Sequence, residues 1–196
     1  MKVGVMLPTI EDHDGRDGGI MPSYQTIREL ALAVDESGLD SVWVPDHLIF
    51  RFPDQKETGV WEGWTMLAAL AEVTSRVELG TLVLCVPFRN PALTARMATT
   101  LDEVSGGRLI LGLGAGWHQP EFDAFGFPFD QLASRFEEGL QIIAPLLRQG
   151  QAALDGKFVR ADASGRPRGP RPHGPPILVG AGKPRMLRLT ARHADA

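Results

Sequence analysis

A single cysteine, Cys85, in 196 residues excludes a disulfide framework within the chain, and such a chain suits a reducing cytoplasm. Long apolar runs are also missing. The opening "MKVGVMLPTI" holds one lysine and a few apolar residues before Pro8, too little for the core of a secretory signal, and nothing in the sequence reads as a membrane span. Positive charge is not in excess: 20 Lys and Arg against 24 Asp and Glu leave a formal charge of −4. A phosphate lattice is held by clustered cations, so DNA and RNA are excluded as expected partners.

What is present is ordinary for one globular domain: 43% apolar and 22% charged residues, in a chain long enough for a full core. Short runs rich in Val, Ile and Leu alternate with segments of helical period, the pattern of β/α units around a parallel sheet. Five strands are predicted, at 2–8, 41–46, 77–86, 108–116 and 175–181. Pro22 and Ser23 open a helix that Gly38 stops, and Asn90 caps another with Pro91 in its first turn and Ser105-Gly106-Gly107 at its end. Further helices are expected near 62–75, 130–149 and 183–193. The segment "GRPRGPRPHGPP" (165–176) reads as a stiff connecting loop rather than a basic recognition tail, since its prolines continue neither sheet nor helix. "EDHDGRDGGI" (11–20), with His13 and three aspartates, reads as a flexible loop rather than a metal cage, and no metal is expected.

Reactive groups in a parallel β/α fold gather at the carboxyl ends of the strands. After the second strand stand Asp46 and His47, an imidazole able to exchange protons near neutrality beside a carboxylate able to orient it. Read on position alone, they are equally a turn carboxylate and a surface histidine. The third strand ends in Cys85 and Val86, where a lone cysteine is expected to be a small buried hydrophobe. The fourth runs into "GLGAGWH", which lacks the third glycine of a dinucleotide-binding turn because Trp117 stands there. Gly112 and Gly114 suit either the approach of a ligand or tight packing, and Glu121 follows. The fifth strand ends in "VGAGKPRM", where free N–H groups, a helix start at Pro184 and the cations Lys183 and Arg185 favour an anion site over a bare turn.

Taken together, "GLDSVWVPDHL", "TSRVELGTLVLCVPFRNPALTARMATTLDEVSGGRLILGLGAGWHQPEFDAFG", "RFEEGLQII" and "PPILVGAGKPRMLRLTARHADA" resemble the luciferase-like family of flavin- and deazaflavin-dependent oxidoreductases. The resemblance covers nearly all of 1–196 and implies a TIM-barrel (β/α) fold, incomplete here, with about five of eight strands. It implies reduced FMN or coenzyme F420 (a deazaflavin) as cofactor, and monooxygenation or hydride transfer on a small organic substrate. A separate flavin or deazaflavin reductase would be a partner. His47 matches a proton donor or acceptor beside the reactive ring, with Asp46 next to it. The Cys85–Val86 bond matches a non-prolyl cis peptide behind the ring, Gly114 lies in a cofactor-side loop, and Gly180, Ala181 and Gly182 match the stretch that holds the phosphate. Trp61 and Trp64 line the substrate pocket or simply pack. A five-stranded open sheet exposes two edges, so a homo-oligomer is expected. The competing readings are a flavin-binding relative without turnover, an inactive fragment, and an unrelated barrel enzyme acting on a phosphorylated substrate.

Overall fold

A computed structural model describes residues 1–12 and 19–196; His13, Asp14 and Asp17, on which the loop reading of 11–20 falls, lie outside these described residues. The chain alternates as expected: β1 (Gly4–Met6), α1 (Tyr24–Ser37), β2 (Ser41–Val44), a hairpin of β3 (Ile49–Phe50) and β4 (Thr58–Gly59), then α2 (Gly63–Val73) and β5 (Glu78–Thr81). There follow β6 (Leu84–Cys85), α3 (Pro91–Val104), β7 (Leu109–Gly114), α4 (Gln119–Phe125), α5 (Leu132–Gln149), a hairpin of β8 (Gln151–Asp155) and β9 (Arg160–Ser164), β10 (Ile177–Val179) and α6 (Pro184–His193). The helix ends obey the sequence. Ser23 and Asn90 accept N–H bonds from Thr26, and from Ala92 and Leu93, and Gly38 takes the left-handed conformation at the end of α1.

The strands form one parallel sheet in the order β1-β2-β5-β7-β10, with β6 also pairing β7. The register puts Val42 beside Leu79 and Leu79 beside Leu109. This row, with Val44, Leu111, Leu113, Ile177 and Val179, is buried in the same core as apolar residues of the helices, as parallel sheets require. On the other face the Trp43 indole lies across its neighbours. A Cβ on Gly4 would stand 2.4 Å from its Nε1, and one on Gly80 2.2 Å from its ring. The sheet is an open arc, not a closed barrel.

Two expectations are corrected, and two hairpins are added. The apolar run 77–86 is not one strand: β5 ends at Thr81 and β6 resumes at Leu84. The non-prolyl cis bond lies in this joint, at Leu82–Val83, and not at Cys85–Val86. A continuous apolar run carries no turn residue to announce such a break. Neither hairpin was foreseen, because β3 and β4 have two residues each and β8 and β9 are built largely of alanine and polar residues, poor strand signals. The 165–176 segment is a connecting loop as read, and two of its three arginines fasten it to the body of the protein: Arg171 forks onto buried Asp102, and Arg168 donates to the Arg148 and Pro172 carbonyls.

Candidate functional site

The carboxyl ends of β2, β6, β7 and β10 open onto a cleft of about 610 Å³, a volume usual for small-molecule sites. Leu82 and Val83 of the strand joint form part of its wall, with Leu132 from the start of α5 and Met186 from α6. Among the described residues, His47 and Lys183 are its cationic or potentially cationic groups.

His47 is held from behind. Its Nδ1 lies 2.9 Å from Oε1 of Glu121, whose Oε2 accepts the Leu48 N–H at 2.9 Å. Glu121 is 1% exposed, so this carboxylate has both oxygens engaged in a nearly water-free setting. The helix α4 that carries it is pinned by Phe122, fully buried against Phe88, Phe127 and Phe129. Gly126 ends that helix in the left-handed conformation. A carboxylate acceptor at Nδ1 assigns the proton there and leaves Nε2 as the ring nitrogen able to exchange a proton with a ligand.

Asp46, adjacent in sequence, does something else. Its buried carboxylate takes a two-pronged bond from Arg89, 2.7 and 2.8 Å, and the Cys85 N–H at 2.8 Å. Arg89 also donates to Glu62 at 2.7 Å, and Glu62 caps α2 through the Trp64 and Thr65 N–H groups. Burial works against the Arg89 charge, but the bond and charge of Asp46, and then Glu62, more than compensate and raise its pKa. Burial likewise opposes the Glu62 charge, and the bonds from Thr65 and Trp64 with Arg89 lower its pKa overall. Asp46 therefore ties the loop after β2 to β6, while the carboxylate on His47 is Glu121. Cys85 lines the cleft, and burial, followed by the charges of Asp46 and Glu121, pushes its thiol pKa upward; a neutral thiol is a poor nucleophile.

The glycines separate into two kinds. At Gly112 a Cβ would lie 1.9 Å from the Thr81 carbonyl oxygen, and at Gly114 2.5 Å from Val83 Cγ2. Both are demanded by the chain's own packing at the strand joint, although Gly114 also borders the cleft. At Gly182 a Cβ would meet nothing within 4 Å, and Gly182 faces the cleft. The Gly180 N–H is not free: it donates to the Leu113 carbonyl at 3.0 Å. The unclaimed donors lie one step on, where α6 begins at Pro184 without a side-chain cap, leaving the Arg185 and Met186 N–H groups without intrahelical acceptors. The Arg185 side chain turns to Ser134 and Glu137, so Lys183 is the cation at this end among the described residues.

The side chains of the remaining expected residues do not line the cleft. Val86 is buried against α5, where a Cβ on Gly139 would stand 2.4 Å from its Cγ1, and Ala181 packs on the main core. Trp64 is a core residue, and Trp61 sends its Nε1 to the Pro22 carbonyl; neither lines the cleft. Sequence reasoning missed the Glu121–His47 pair and the clamp of Arg89 on Asp46. The available signal was weak: two carboxylates and an arginine near strand ends, with nothing to say which would meet. Among the described residues, no group of three or more His, Cys, Asp or Glu is placed to hold a metal, and no helix is long and apolar enough to cross a membrane.

An open parallel β/α arc with a cleft at the carboxyl ends of its strands, a carboxylate-held histidine and an uncapped helix start defines a site of the TIM-barrel type. Comparison with known proteins makes the class specific. The luciferase-like monooxygenase family profile matches residues 1–196, and the chain belongs to that family. It is 32% identical over 215 residues to pyrimidine monooxygenase RutA of Methylorubrum extorquens, covering 100% of this chain and 56% of that protein. It is also 32% identical over 169 residues to the 5,10-methylenetetrahydromethanopterin reductase of Methanolobus tindarius, covering 86% and 48%. The coenzyme F420-dependent tetrahydromethanopterin reductase from Methanopyrus kandleri superposes with a TM-score of 0.76 at 25% identity, over 99% of this chain and 54% of that one. The chain thus spans about half the length of the relatives it matches.

Proposed function

We propose that the cleft binds reduced FMN or the deazaflavin coenzyme, and that the chain is the cofactor-side portion of an oxidoreductase acting on a small organic molecule. The observation that carries this reading is His47, fixed through Nδ1 by Glu121, lining the same cleft as the uncapped start of α6. The residues suit such a cofactor. The Arg185 and Met186 N–H groups, the positive end of α6 and Lys183 together favour a phosphate. The space over Gly182 is open to it, and Leu82 and Val83 offer an apolar wall to a flat ring. When bound, the cofactor supplies a hydride or, with oxygen, an oxygenating equivalent.

The chain's own residues supply the rest. His47 gives or takes a proton at Nε2, Glu121 steadies the imidazole and compensates its positive charge, and the Asp46–Arg89 pair holds β6 and the β2 loop in fixed relation. A separate flavin or deazaflavin reductase would deliver the reduced cofactor, and a second copy would cover the open sheet edges.

Titration of the purified chain with FMN and with the deazaflavin coenzyme tests the reading, followed by turnover assays with the cofactor that binds. Binding of one of them, with turnover lost in His47→Ala, is the expected result. Binding without turnover in the parent chain favours the non-catalytic flavin-binding relative, and binding of neither cofactor overturns the proposal.

A further inference from the structure

Three aromatic rings beside His47 have no part in the reading above. Phe50 and Phe52 come from the β3–β4 hairpin and Trp117 from the loop after β7. Their planes are close to parallel: 11° between Phe50 and Phe52, 25° between Phe52 and Trp117, and 32° between Phe50 and Trp117, with centroids 5.9, 6.5 and 6.4 Å apart. Two of them stand in water, Phe52 at 40% and Trp117 at 59% exposure. Grouped exposed apolar rings that reach a cleft through one of their members, as these do through Trp117, mark a recognition surface more than scattered ones do.

The array is also built rather than incidental. Buried His118 accepts the Arg51 N–H on Nε2 at 3.0 Å, so the residue between the two phenylalanines is fastened to the one after Trp117. An ion pair of Arg51 with Glu57 closes the same hairpin. The His47 ring sits 4.4 Å from Phe50 and meets Trp117 edge-on at 5.6 Å. Trp117 and His47 both line the cleft.

We infer that the cleft takes a flat aromatic substrate, seated against Trp117 where that ring lines the cleft, with Phe50 and Phe52 extending the aromatic surface beside it and a ring hydroxyl or ring N–H turned toward His47. This rests on the proposed function for the role of the cleft, and adds the chemical class of the substrate. Near-parallel π faces favour another ring by offset stacking in addition to apolar burial, whereas a saturated molecule of the same size gains only the burial. His47, with Nδ1 committed to Glu121, has Nε2 left for a polar hydrogen on that ring.

The test compares naphthol with decalol, its saturated counterpart, by calorimetry on the full chain. Naphthol should bind about fivefold tighter or more, a margin set by ring–ring energetics. Trp117→Ala and Phe52→Ala should each shrink that margin, and Phe52→Ala, whose ring lies outside the cleft lining, should leave FMN affinity at the parent value; both side chains are exposed, so neither change threatens the fold. Equal affinity for the two alcohols, or an undiminished margin in Trp117→Ala, overturns the inference. If the margin is present but neither cofactor binds, the cofactor reading fails and the aromatic seat stands. If a cofactor binds and the margin is absent, the seat fails and the cofactor reading stands.

Discussion

The Nδ1 of His47 and the Oε1 of Glu121 are 2.9 Å apart across 74 residues of sequence. The loop after β2 and the helix α4 must both be in place before the imidazole has a defined tautomer. His47→Ala should lower turnover by about 10²- to 10⁴-fold with little change in cofactor affinity, the signature of a proton-transfer group. Glu121→Gln is the sharper experiment. Its amide can still accept the Leu48 N–H, so the fold persists, but it no longer compensates a charged imidazole. Turnover should fall at least about tenfold, with an altered pH–rate profile and cofactor affinity unchanged. A profile identical to the parent's would remove Glu121 from the mechanism.

Gly182 offers a clean probe of the phosphate end. A β-carbon there meets no protein atom within 4 Å, so Gly182→Val should fold with parental stability. If the phosphate sits beside Gly182 at the start of α6, the added side chain crowds it and should weaken FMN more than riboflavin, which lacks the phosphate. Calorimetry with both ligands measures this. Equal weakening of the two would place the phosphate elsewhere.

How much of this was legible in sequence follows from the range of the forces involved. Strand runs and helix caps are local, so "SVWVPD", "RLILGLG" and the caps Ser23 and Asn90 announced themselves. The strand joint at Leu82–Val83 did not, because "TLVLCV" is apolar throughout and periodicity alone cannot show a break. Asp46 beside His47 suggested a pair, yet both side chains border the cleft and each finds a different partner. Asp46 accordingly faces Arg89, and the distant Glu121 faces His47. Which carboxylate meets which base is settled by tertiary packing around Phe122, and no local pattern encodes that. Gly112 and Gly114 were recognised as special, but only the Thr81 oxygen and Val83 side chain beneath them show that packing is a reason.

Asp35 gives the fold an acid-sensitive joint far from the cleft. Its carboxylate accepts the Ser75, Arg76 and Val77 N–H groups and the Ser75 hydroxyl. Burial alone would raise its pKa, but these donors, led by Val77, outweigh it and hold the group at about 2 against an ordinary 3.8. A depressed folded-state value means that the stabilisation is complete above about 3.8 and is lost as pH falls through about 2. Asp35→Asn should cost about 1–2 kcal/mol at neutral pH and flatten the acid limb of stability between those two values. Urea melts at a series of pH values would show it; a parallel pair of curves for parent and variant would contradict the assignment.

The pair formed by Asp46 and Arg89 should behave in the opposite way to His47, with its loss felt in stability before chemistry. Asp46 is 3% exposed, and its neutralising partner is the Arg89 fork at 2.7 and 2.8 Å. Arg89→Met keeps much of the side-chain bulk but strands a carboxylate in a setting where an unpaired charge costs about 3–5 kcal/mol. Asp46→Asn should cost less, because Arg89 retains Glu62 as a partner. The double variant Asp46→Asn/Arg89→Met removes the stranded charge and should recover part of what Arg89→Met loses, giving a coupling well above the few tenths of a kcal/mol expected of independent sites. Because Asp46 also receives the Cys85 N–H, loosening it displaces β6 and should weaken cofactor binding in step with stability, whereas His47→Ala leaves both near parental values. Denaturant melts of the four variants would settle it. Additive losses would mean that the fork is a surface-like ion pair, and would return Asp46 to candidacy as a group acting directly on the bound ligand.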